Sequence, residues 1–438
     1  MLKRQISEQL IAFTGASPSV FHAVENIAVR LKNQGYTQLY EEQAWNVSPR
    51  GKYFVTRNGS SLLAFRLHGG EVQSEVRPFN IAAAHSDVPC FKVKFDPAIQ
   101  SGPYTRLSVE RYGGMNMSTW MDRPLSVAGR VICQTENGTA IKLINIDRDL
   151  LMMPNAPVHL HKTDGKSYNP AVDTVPLFGM GNKDGFMKLI AEAAGVEVER
   201  ILGTDLFLYN RMPGSIWGES EEFVSCRGLD DLQCTFACTE AFLSPDCSDN
   251  PASTPVLAIF DNEEVGNGTR QGAASPFLWD VIRRLYKGHS EAEIRQAMAA
   301  SFLLSCDNAH AVHPNHGGLA DVIHRCYLNG GIAIKHNAGQ KYITDGISEA
   351  YIKLLCAQAD VPWQYYSNPA DVAGGSTLGN TAATRNSLLA ADIGIPQLAM
   401  HSSYETTGAE DTWNAVQMLT KFFSTGYHPV GGDRYEVV

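Results

Sequence analysis

The stretch TPVLAIFDNEEVG, residues 254–266, decides how the rest of the chain is organised. Its apolar half predicts a buried strand, and the adjacent carboxylates Glu263 and Glu264 follow where the strand ends. Because neighbouring side chains of a strand point to opposite sides, one glutamate could bind a metal ion while the other faces a water or substrate. Most Glu-Glu pairs are solvated surface charge, but a position at the end of an apolar run favours a site.

Runs typical of helices and strands alternate on both sides of this stretch. KRQISEQLIAF and FHAVENIAVRLKNQGY predict two helices, and KYFVTRN, SLLAFRLHG and FNIAAAHSD predict three strands. After Phe223, a helix opening at Asp230 and Asp231 begins a second series, in which GGSTLGN predicts a turn and IPQLAMHSS a strand. The alternation predicts an α/β fold with a mostly parallel, helix-covered sheet.

Residues 92–221 have a different pattern, which divides the chain. Short alternating runs such as FKVKFDP and TRLSVERYG, with Asn137-Gly138 as a hairpin signal, predict an all-β insertion. Residues 1–91 and 222–438 then form two parts of one catalytic domain. Within PVHLHK, His159 and His161 are predicted to share one strand face, where a structural or surface role is commoner than metal binding.

Composition excludes several classes of protein. A net charge of −10 over 438 residues argues against nucleic acid or an anionic membrane surface as the main partner. No apolar stretch reaches the length of a membrane span, and the N-terminus lacks the apolar core of a secretory signal. Nine cysteines without a CxxC motif predict reduced thiols. We expect a cytoplasmic protein that acts on small molecules or peptides.

Potential metal ligands follow five separate strand or helix edges. They are His85, Asp230, Glu264, Asp307 and His401. Two imidazoles and three carboxylates suit one or two borderline divalent ions such as zinc, cobalt or manganese. Glu263, beside a ligand, is then the natural general base for an attacking water. Asp87 could accept the ring N–H of His85 and fix its tautomer.

A second histidine cluster lies in DNAHAVHPNH. His310 and His313 have the spacing of helical chelators, and His316 follows. Pro314 interrupts any helix at this point, and the run comes directly after a predicted strand. A structural or supporting role is therefore favoured, and the three histidines are left out of the predicted metal site.

Several segments, in order, resemble the signature segments of the aspartyl aminopeptidase family of co-catalytic metallopeptidases. They are SPSVFHAV, IAAAHSDVP, RGLDDL, FDNEEVGNGTRQGAAS, SCDNAHAVHPN, IAIKHNA, DVAGGSTLGN and IPQLAMHSSYET. The resemblance runs from end to end. It implies an α/β catalytic domain with an inserted β-rich dimerisation domain, two zinc ions and removal of N-terminal residues from peptides. It also implies a tetrahedral assembly of twelve subunits, built from dimers, that encloses the active sites.

The resemblance also assigns roles to individual residues. It implies five metal ligands, with Asp230 bridging the two ions, His85 and Asp307 completing one site, and Glu264 and His401 the other. Glu263 becomes the base and Asp87 the residue that orients His85. His159 would be presented to the active site of a neighbouring subunit.

Two further residues match positions near the family's pocket for an acidic side chain. They are Lys335 and Tyr342, and a buried lysine can pair with a substrate carboxylate. The resemblance therefore implies a preference for N-terminal Asp or Glu.

The chain departs from the family pattern at three places. Asp231 stands where the family has Asn, and the segments Asn368–Asp371 and Ser403–Glu405, which contain Pro369 and Tyr404, lack arginines that the family has. Two missing cations on the substrate side leave broad or neutral specificity, or cleavage of other amides, as alternatives. A catalytically weak scaffold is a third alternative, but a structural metal site has no use for an unliganded base such as Glu263.

Overall fold

The apolar run that opens the deciding stretch forms the strand Thr254–Phe260, which is buried along its whole length. The computed structural model describes residues 2–68, 76–160, 168–245, 252–431 and 433–438. The strand lies in a nine-stranded sheet, here called the large sheet. Its strands in spatial order are Thr37–Leu39, Lys52–Arg57, Ser61–Arg66, Thr254–Phe260, Phe79–His85, Phe302–Cys306, Leu389–Gly394, Ile332–His336 and Trp363–Ser367.

The centre of the large sheet is parallel, and this aligns the ends of its strands. Thr254–Phe260 and Phe302–Cys306 both run parallel to Phe79–His85, and Phe302–Cys306 also runs parallel to Leu389–Gly394. His85 lies directly beside Phe260 in this register. The residues that follow these strands therefore emerge at one edge of the sheet, where open α/β sheets place their sites.

Helices cover both faces of the large sheet. One face carries Leu2–Ala16, Val20–Asn33, Leu229–Leu243, Gly346–Ala359 and Asp411–Ser424, and the other carries Phe277–Leu285, Glu291–Ala299 and Leu378–Asn386. Alternate residues of one strand serve the two cores, since Leu257 packs in the first and Val256 in the second. The predicted α/β fold is confirmed, although antiparallel neighbours on either side of the parallel centre make the sheet mixed.

The β-rich segment folds as a six-stranded antiparallel sheet, here called the insertion sheet. Its strands are Cys90–Ser101, Tyr104–Tyr112, Leu125–Thr135, Gly138–Asn145, Leu177–Gly179 and Ile201–Asn210. Thr135 pairs with Gly138, so the predicted hairpin forms with Glu136 and Asn137 as its loop. The prediction of an all-β insertion was wrong in one respect, because the helix Gly185–Ala194 packs its apolar side on this sheet.

A five-stranded sheet holds segments that lie near the predicted ligands. Its strands are Ser215–Trp217, Phe223–Cys226, Glu405–Gly408, Pro396–Leu398 and Ala309–His310. Only Pro396–Leu398 of the predicted IPQLAMHSS strand is extended. A last pair, Tyr427–Pro429 and Tyr435–Val437, forms a small hairpin near the C-terminus. Over the part of the chain that is described, no helix is both long and apolar enough to cross a membrane.

The predicted strand around His159 is absent. Residues 158–160 form a turn in which Leu160 N–H donates to the carbonyl of Pro157, and His159 is exposed. Pro157 has no N–H to donate to a sheet, which disfavours a strand at this point. His161 lies outside the described residues.

Candidate active site

Asp87 connects the end of the strand Phe79–His85 to the turn that follows the neighbouring strand Thr254–Phe260. Nδ1 of His85 donates to the carbonyl of Asp87 at 3.0 Å and lies 3.4 Å from its carboxylate. The same carboxylate accepts from the backbone N–H groups of Glu263 at 3.2 Å and Glu264 at 3.1 Å. Tyr112 donates its hydroxyl to Asp87 at 2.7 Å. With its Nδ1–H engaged, the His85 ring leaves the Nε2 lone pair available to a metal ion.

Glu263 and Glu264 do not lie on the strand itself, so strand alternation, on which the prediction depended, does not apply to them. They lie in a short 3-10 turn, Glu263–Val265, that follows Asn262 in the left-handed region at φ 62°. This turn and its attachment to Asp87 therefore position the two side chains, whose ligand atoms lie within 4.8 Å of each other, and strand alternation does not. A second close contact shapes the turn, since a Cβ atom on Gly113 (φ 78°) would lie 3.1 Å from Cβ of Glu264.

Asp230 and Asp231 open the helix Leu229–Leu243 in non-helical conformations. The backbone N–H of Asp230 donates to Oε2 of Glu405 at 3.1 Å, and the carboxylate of Asp231 accepts from His85 N–H at 3.1 Å. Both aspartates are buried. The predicted start of the helix is correct, but these two residues serve the site and the regular turns begin after them.

Glu405 is a residue of the site that the sequence argument did not single out. Its Oε1 accepts from the backbone N–H of His401 at 2.7 Å while its Oε2 holds Asp230. His401 itself has φ 62°, so this contact fixes a rarely adopted backbone conformation. The available signal was that Glu405 follows the HSS turn at the start of a strand, but nothing in the sequence pairs it with Asp230.

The side chains from these elements converge on one point. His401 Nε2 lies 3.4 Å from Oδ2 of Asp230 and 3.4 Å from Oε2 of Glu264. On the other side of Asp230, its Oδ1 lies 3.4 Å from Nε2 of His85. Groups of candidate ligand atoms within 4.8 Å of one another are Asp230-Glu264-His401, His85-Asp230-Asp231 and His85-Glu263-Glu264. We call these six residues the metal-binding cluster.

The pKa values of the buried carboxylates are shifted, and the direction of the shift differs from one carboxylate to another. Burial would raise the pKa of Asp230, but the imidazoles of His401 and His85 beside its carboxylate outweigh burial and lower that pKa. Burial raises the pKa of Glu264 well above its usual value, and the charge of Asp230 adds to the shift. Burial likewise raises the pKa of Glu263 to about 8. The imidazoles of His85 and His401 are therefore not enough to stabilise the negative charges of all the neighbouring carboxylates.

The cluster fits a zinc ion in three respects. Buried oxygens of Asp230, Asp231 and Glu264 have no hydrogen-bond partner among the described residues, and such groups are rare unless an ion or water satisfies them. Neighbouring ligand atoms of a tetrahedral zinc site with bonds of about 2.0–2.2 Å lie about 3.4 Å apart, as the His-carboxylate pairs here do. Imidazole and carboxylate are also donors that zinc accepts.

Asp307 is not brought into the metal-binding cluster. It directly follows the strand Phe302–Cys306, but its Oδ1 accepts from Nζ of Lys335 at 3.0 Å, and it belongs to none of the close groups of ligand atoms. Lys335 lies over the ring of Tyr342 at 5.3 Å, and both side chains are buried. The structure thus joins a predicted metal ligand to a predicted substrate residue.

His310, which the sequence argument set aside, lies close to the cluster. Burial first and Lys335 second lower the pKa of its imidazole, while the charges of Asp230 and Asp307 act on it in the opposite direction. His313 and His316 lie further along the same loop, with their ring centroids 4.9 Å apart. His159 is placed in the exposed turn described above, and among the described residues it belongs to none of the close groups of ligand atoms.

Comparison with known proteins gives one consistent result. The family described as "Aminopeptidase I zinc metalloprotease (M18)" matches residues 13–423. A protein of Clostridium acetobutylicum named "Probable M18 family aminopeptidase 2" is 40% identical over 432 residues, covering 96% of this chain and 99% of its own length. A protein of the same name from Stutzerimonas stutzeri is 34% identical and covers 98% and 100%.

Solved structures agree with the sequence comparison. The chain is similar to one in "Cryo-EM structure of the Ape4 and Nbr1 complex", with a TM-score of 0.92 and 32% identity over 97% of this chain and 86% of that one. It is also similar to one in a structure of the S. cerevisiae mApe1 dodecamer, with a TM-score of 0.84 and 25% identity over 97% of both chains. The predicted resemblance is confirmed: the chain belongs to the M18 family of aminopeptidase I zinc metalloproteases, which includes aspartyl aminopeptidase, and is a metallo-aminopeptidase.

Proposed function

We propose that this enzyme uses two zinc ions to remove N-terminal residues, with a preference for Asp or Glu, and that Glu263 is its general base. The observation that carries the proposal is the placement of Glu263. It shares a turn with Glu264, a member of the close group with Asp230 and His401, and its backbone is held by Asp87. Glu263 also belongs to the close group of His85 and Glu264, and among the described residues its carboxylate has no hydrogen-bonded partner side chain, so it is suited to move a proton.

Each residue of the cluster then has a distinct task. When bound, zinc polarises the scissile carbonyl and lowers the pKa of a water from its bulk value toward about 7. Glu263 accepts a proton from that water and delivers it to the leaving amine. Asp230, with one oxygen facing His85 and the other facing His401, would be the ligand shared by the two metal sites. Asp87 keeps the His85 ring and the Glu263 backbone in fixed relation.

The first metal site includes Asp307 in this proposal, as the family resemblance implies. The proposal is supported by the position of Asp307 directly after the strand Phe302–Cys306, which runs parallel to the His85 strand and ends at the same edge of the sheet. The side chain of Asp307 now pairs with Lys335, so metal binding would exchange one cation for another at this carboxylate. Asp231, in the same close group as His85 and Asp230, is a second candidate for the position.

The proposed preference for N-terminal Asp or Glu depends on a single residue, Lys335. Lys335 is a buried cation beside Asp307, and a buried ammonium can pair with a substrate carboxylate. Its pairing with Asp307 and the departures at Pro369 and Tyr404 favour the alternative, which is the same chemistry with broad or neutral specificity. The free amino group of the substrate would be held by carboxylates of the cluster in either case.

We further propose that the active form is a homo-oligomer, as in the dodecamer of the S. cerevisiae relative. The exposed turn at His159 is available to a second subunit, and an imidazole from there would stabilise the oxyanion of the tetrahedral intermediate. Activity should then depend on assembly. A monomeric variant with full activity would contradict this part of the proposal.

The test of the main proposal compares Glu263→Gln with the parent protein. The variant should keep both zinc ions and lose hydrolysis of N-terminal amides, because glutamine cannot accept the proton. Retained turnover would remove Glu263 from the role of base.

A further inference from the structure

A second cavity, distinct from the metal-binding cluster, is lined by one guanidinium and four imidazoles. It has a volume of about 330 Å³, and we call it the histidine cavity after the imidazoles that line it, those of His310, His313, His316 and His324. Arg325 also lines it, as does Pro369 from the segment where the chain departs from the family pattern. No aspartate or glutamate is among its lining residues, although the protein as a whole carries a net charge of −10.

Arg325 provides a cation without a carboxylate partner. Its Nε donates to the backbone carbonyl of Asp321, and over the described ranges of the chain Arg325 takes part in no ion pair. The carboxylate of Asp321 is engaged elsewhere, since it accepts from His324 Nδ1 at 3.2 Å and from two backbone N–H groups. Within the described residues the terminal nitrogens of the Arg325 guanidinium make no hydrogen bond, so they can bind an anion in a planar, two-point manner.

The imidazoles can supply additional hydrogen bonds around this cation. Nδ1 of His313 accepts from the backbone N–H of Asn315 at 3.1 Å, which makes the opposite ring nitrogen, Nε2, the one that carries a proton. The His316 ring lies beside it, with centroids 4.9 Å apart. A carboxylate entering the cavity would thus meet Arg325 and at least one imidazole N–H donor.

The histidine cavity is lined by residues that lie close in sequence or space to the metal-binding cluster and to Lys335. Gln397 and Ala399 line it, and His401 of the metal-binding cluster follows two residues after Ala399. On its other side, Tyr366 lines the cavity and its ring lies 6.0 Å from that of Tyr342, which packs under Lys335. A peptide held at the cluster could therefore extend one of its side chains into the cavity.

We propose that the histidine cavity binds a carboxylate of the peptide substrate, with Arg325 as the principal cation. The inference rests on the proposed function and extends it to substrate selection. It would supply a positive charge on the substrate side in a chain that lacks two arginines of the family pattern. The carboxylate could belong to the N-terminal residue or to the residue after the scissile bond, and the experiment below separates these two sources.

The first measurement is independent of catalysis. Succinate is titrated into the metal-free protein by calorimetry, with succinamide as the uncharged control, for the parent protein, Arg325→Gln and Arg325→Lys. Arg434→Gln is the matched control, because Arg434 is exposed and far along the chain. Arg325→Gln should weaken succinate binding by about tenfold or more, since it removes a charge-assisted contact, and Arg325→Lys should restore part of the loss. Equal binding by the parent and Arg325→Gln, or no binding by the parent, would overturn the proposal.

The second measurement identifies the source of the carboxylate. Zinc-loaded parent and Arg325→Gln proteins are compared on two matched pairs of peptides, Asp-Leu-Leu with Asn-Leu-Leu and Leu-Asp-Leu with Leu-Asn-Leu. Arg325→Gln should lower the ratio of kcat/KM for acid over amide in one pair. A fall in the first pair assigns the cavity to the N-terminal residue, and a fall in the second assigns it to the residue after the scissile bond. A fall in neither pair would overturn the proposal. Should the parent hydrolyse no peptide, the proposed function fails, while the succinate titration still decides on the cavity.

Discussion

Nζ of Lys335 donates to Oδ1 of Asp307 at 3.0 Å, in a pair whose side chains are only 3% and 10% exposed. The pair links the expected substrate pocket to the expected metal site. Burial of two opposite charges is tolerated because each satisfies the other, so loss of either partner leaves an uncompensated charge. The role of Asp307 as a metal ligand can therefore be tested by measuring the free energy of unfolding with and without zinc.

Lys335→Met should destabilise the metal-free protein by about 3 kcal/mol, because Asp307 is left buried and unpaired. Zinc should reduce this cost, since the ion would neutralise the same carboxylate. Urea unfolding of the parent and variant, with and without zinc, measures both effects, and Lys335→Arg is the control that keeps the charge. A cost that is the same with and without zinc would remove Asp307 from the metal ligands.

Glu263→Gln should lower kcat by about 100-fold or more while leaving zinc content unchanged, because it removes only the proton acceptor. Glu264→Gln, one residue away in the same turn, should instead lose zinc, since Glu264 faces His401 at 3.4 Å. Metal analysis and turnover of the two variants together distinguish a base from a ligand. Zinc loss in Glu263→Gln, or full zinc content in Glu264→Gln, would reverse the two assignments.

Asp87→Asn should weaken zinc binding or activity by about 10- to 100-fold, because residues that orient a metal ligand have effects of this size. The carboxylate of Asp87, which the substitution neutralises, acts on both sides of the site: it lies 3.4 Å from Nδ1 of His85 and accepts from the backbone N–H of Glu263. Competition with a chelator gives the zinc affinity. Tyr112→Phe, which removes one hydrogen bond to Asp87 and no charge, is the milder control. An Asp87→Asn protein with parental affinity and turnover would rule out this positioning role.

The parts of the fold and site that could be predicted are those with a clear pattern in the local sequence. The run TPVLAIF and the residues after it mark a buried strand and its end, and the HSD segment does the same for His85. Parallel neighbours then bring such ends together, which is why separate motifs could be assigned to one site.

Other parts depended on tertiary context. The central strand Leu389–Gly394 was missed because LAADIG is rich in alanine, glycine and aspartate and poor in strand formers, and burial on both faces stabilises it instead. The helix Leu378–Asn386 contains a glycine, two asparagines and two threonines, which are weak helix formers, but it begins at Thr377, whose hydroxyl accepts from Gly379 N–H. The helix Gly185–Ala194 did carry a local signal, its Leu and Ala content and a glycine at its end, which the surrounding β pattern obscured. The pairing of Lys335 with Asp307 joins residues 28 positions apart and has no local signal.

His22 should make folding stability depend on pH away from the metal site. Burial first, and the charge of Arg227 second, lower the pKa of His22 to about 4. Between this value and the ordinary pKa of about 6.5, the unfolded chain binds a proton that the folded chain does not. The contribution is therefore complete above pH 6.5 and is lost as the pH falls toward 4.

The size of this loss should reach about 2 kcal/mol, after allowance for partial exposure of the ring. His22→Gln keeps a polar side chain beside Ser19, whose hydroxyl lies 2.8 Å from Nδ1 of His22. Unfolding free energies of both proteins between pH 7.5 and 4.5 give the difference that belongs to His22. A difference that stays constant over this range would contradict the prediction.

The most direct test of the account is hydrolysis of Asp-, Glu-, Leu- and Ala-linked chromogenic amides by the zinc-loaded protein, with a chelator-treated sample alongside. We predict turnover that disappears on chelation and returns with zinc, with the Asp and Glu amides cleaved fastest. Chelator-sensitive turnover that favours the neutral amides would keep the metal chemistry and remove the acidic preference. Turnover that survives complete removal of zinc would contradict the central claim that the metal-binding cluster performs the reaction.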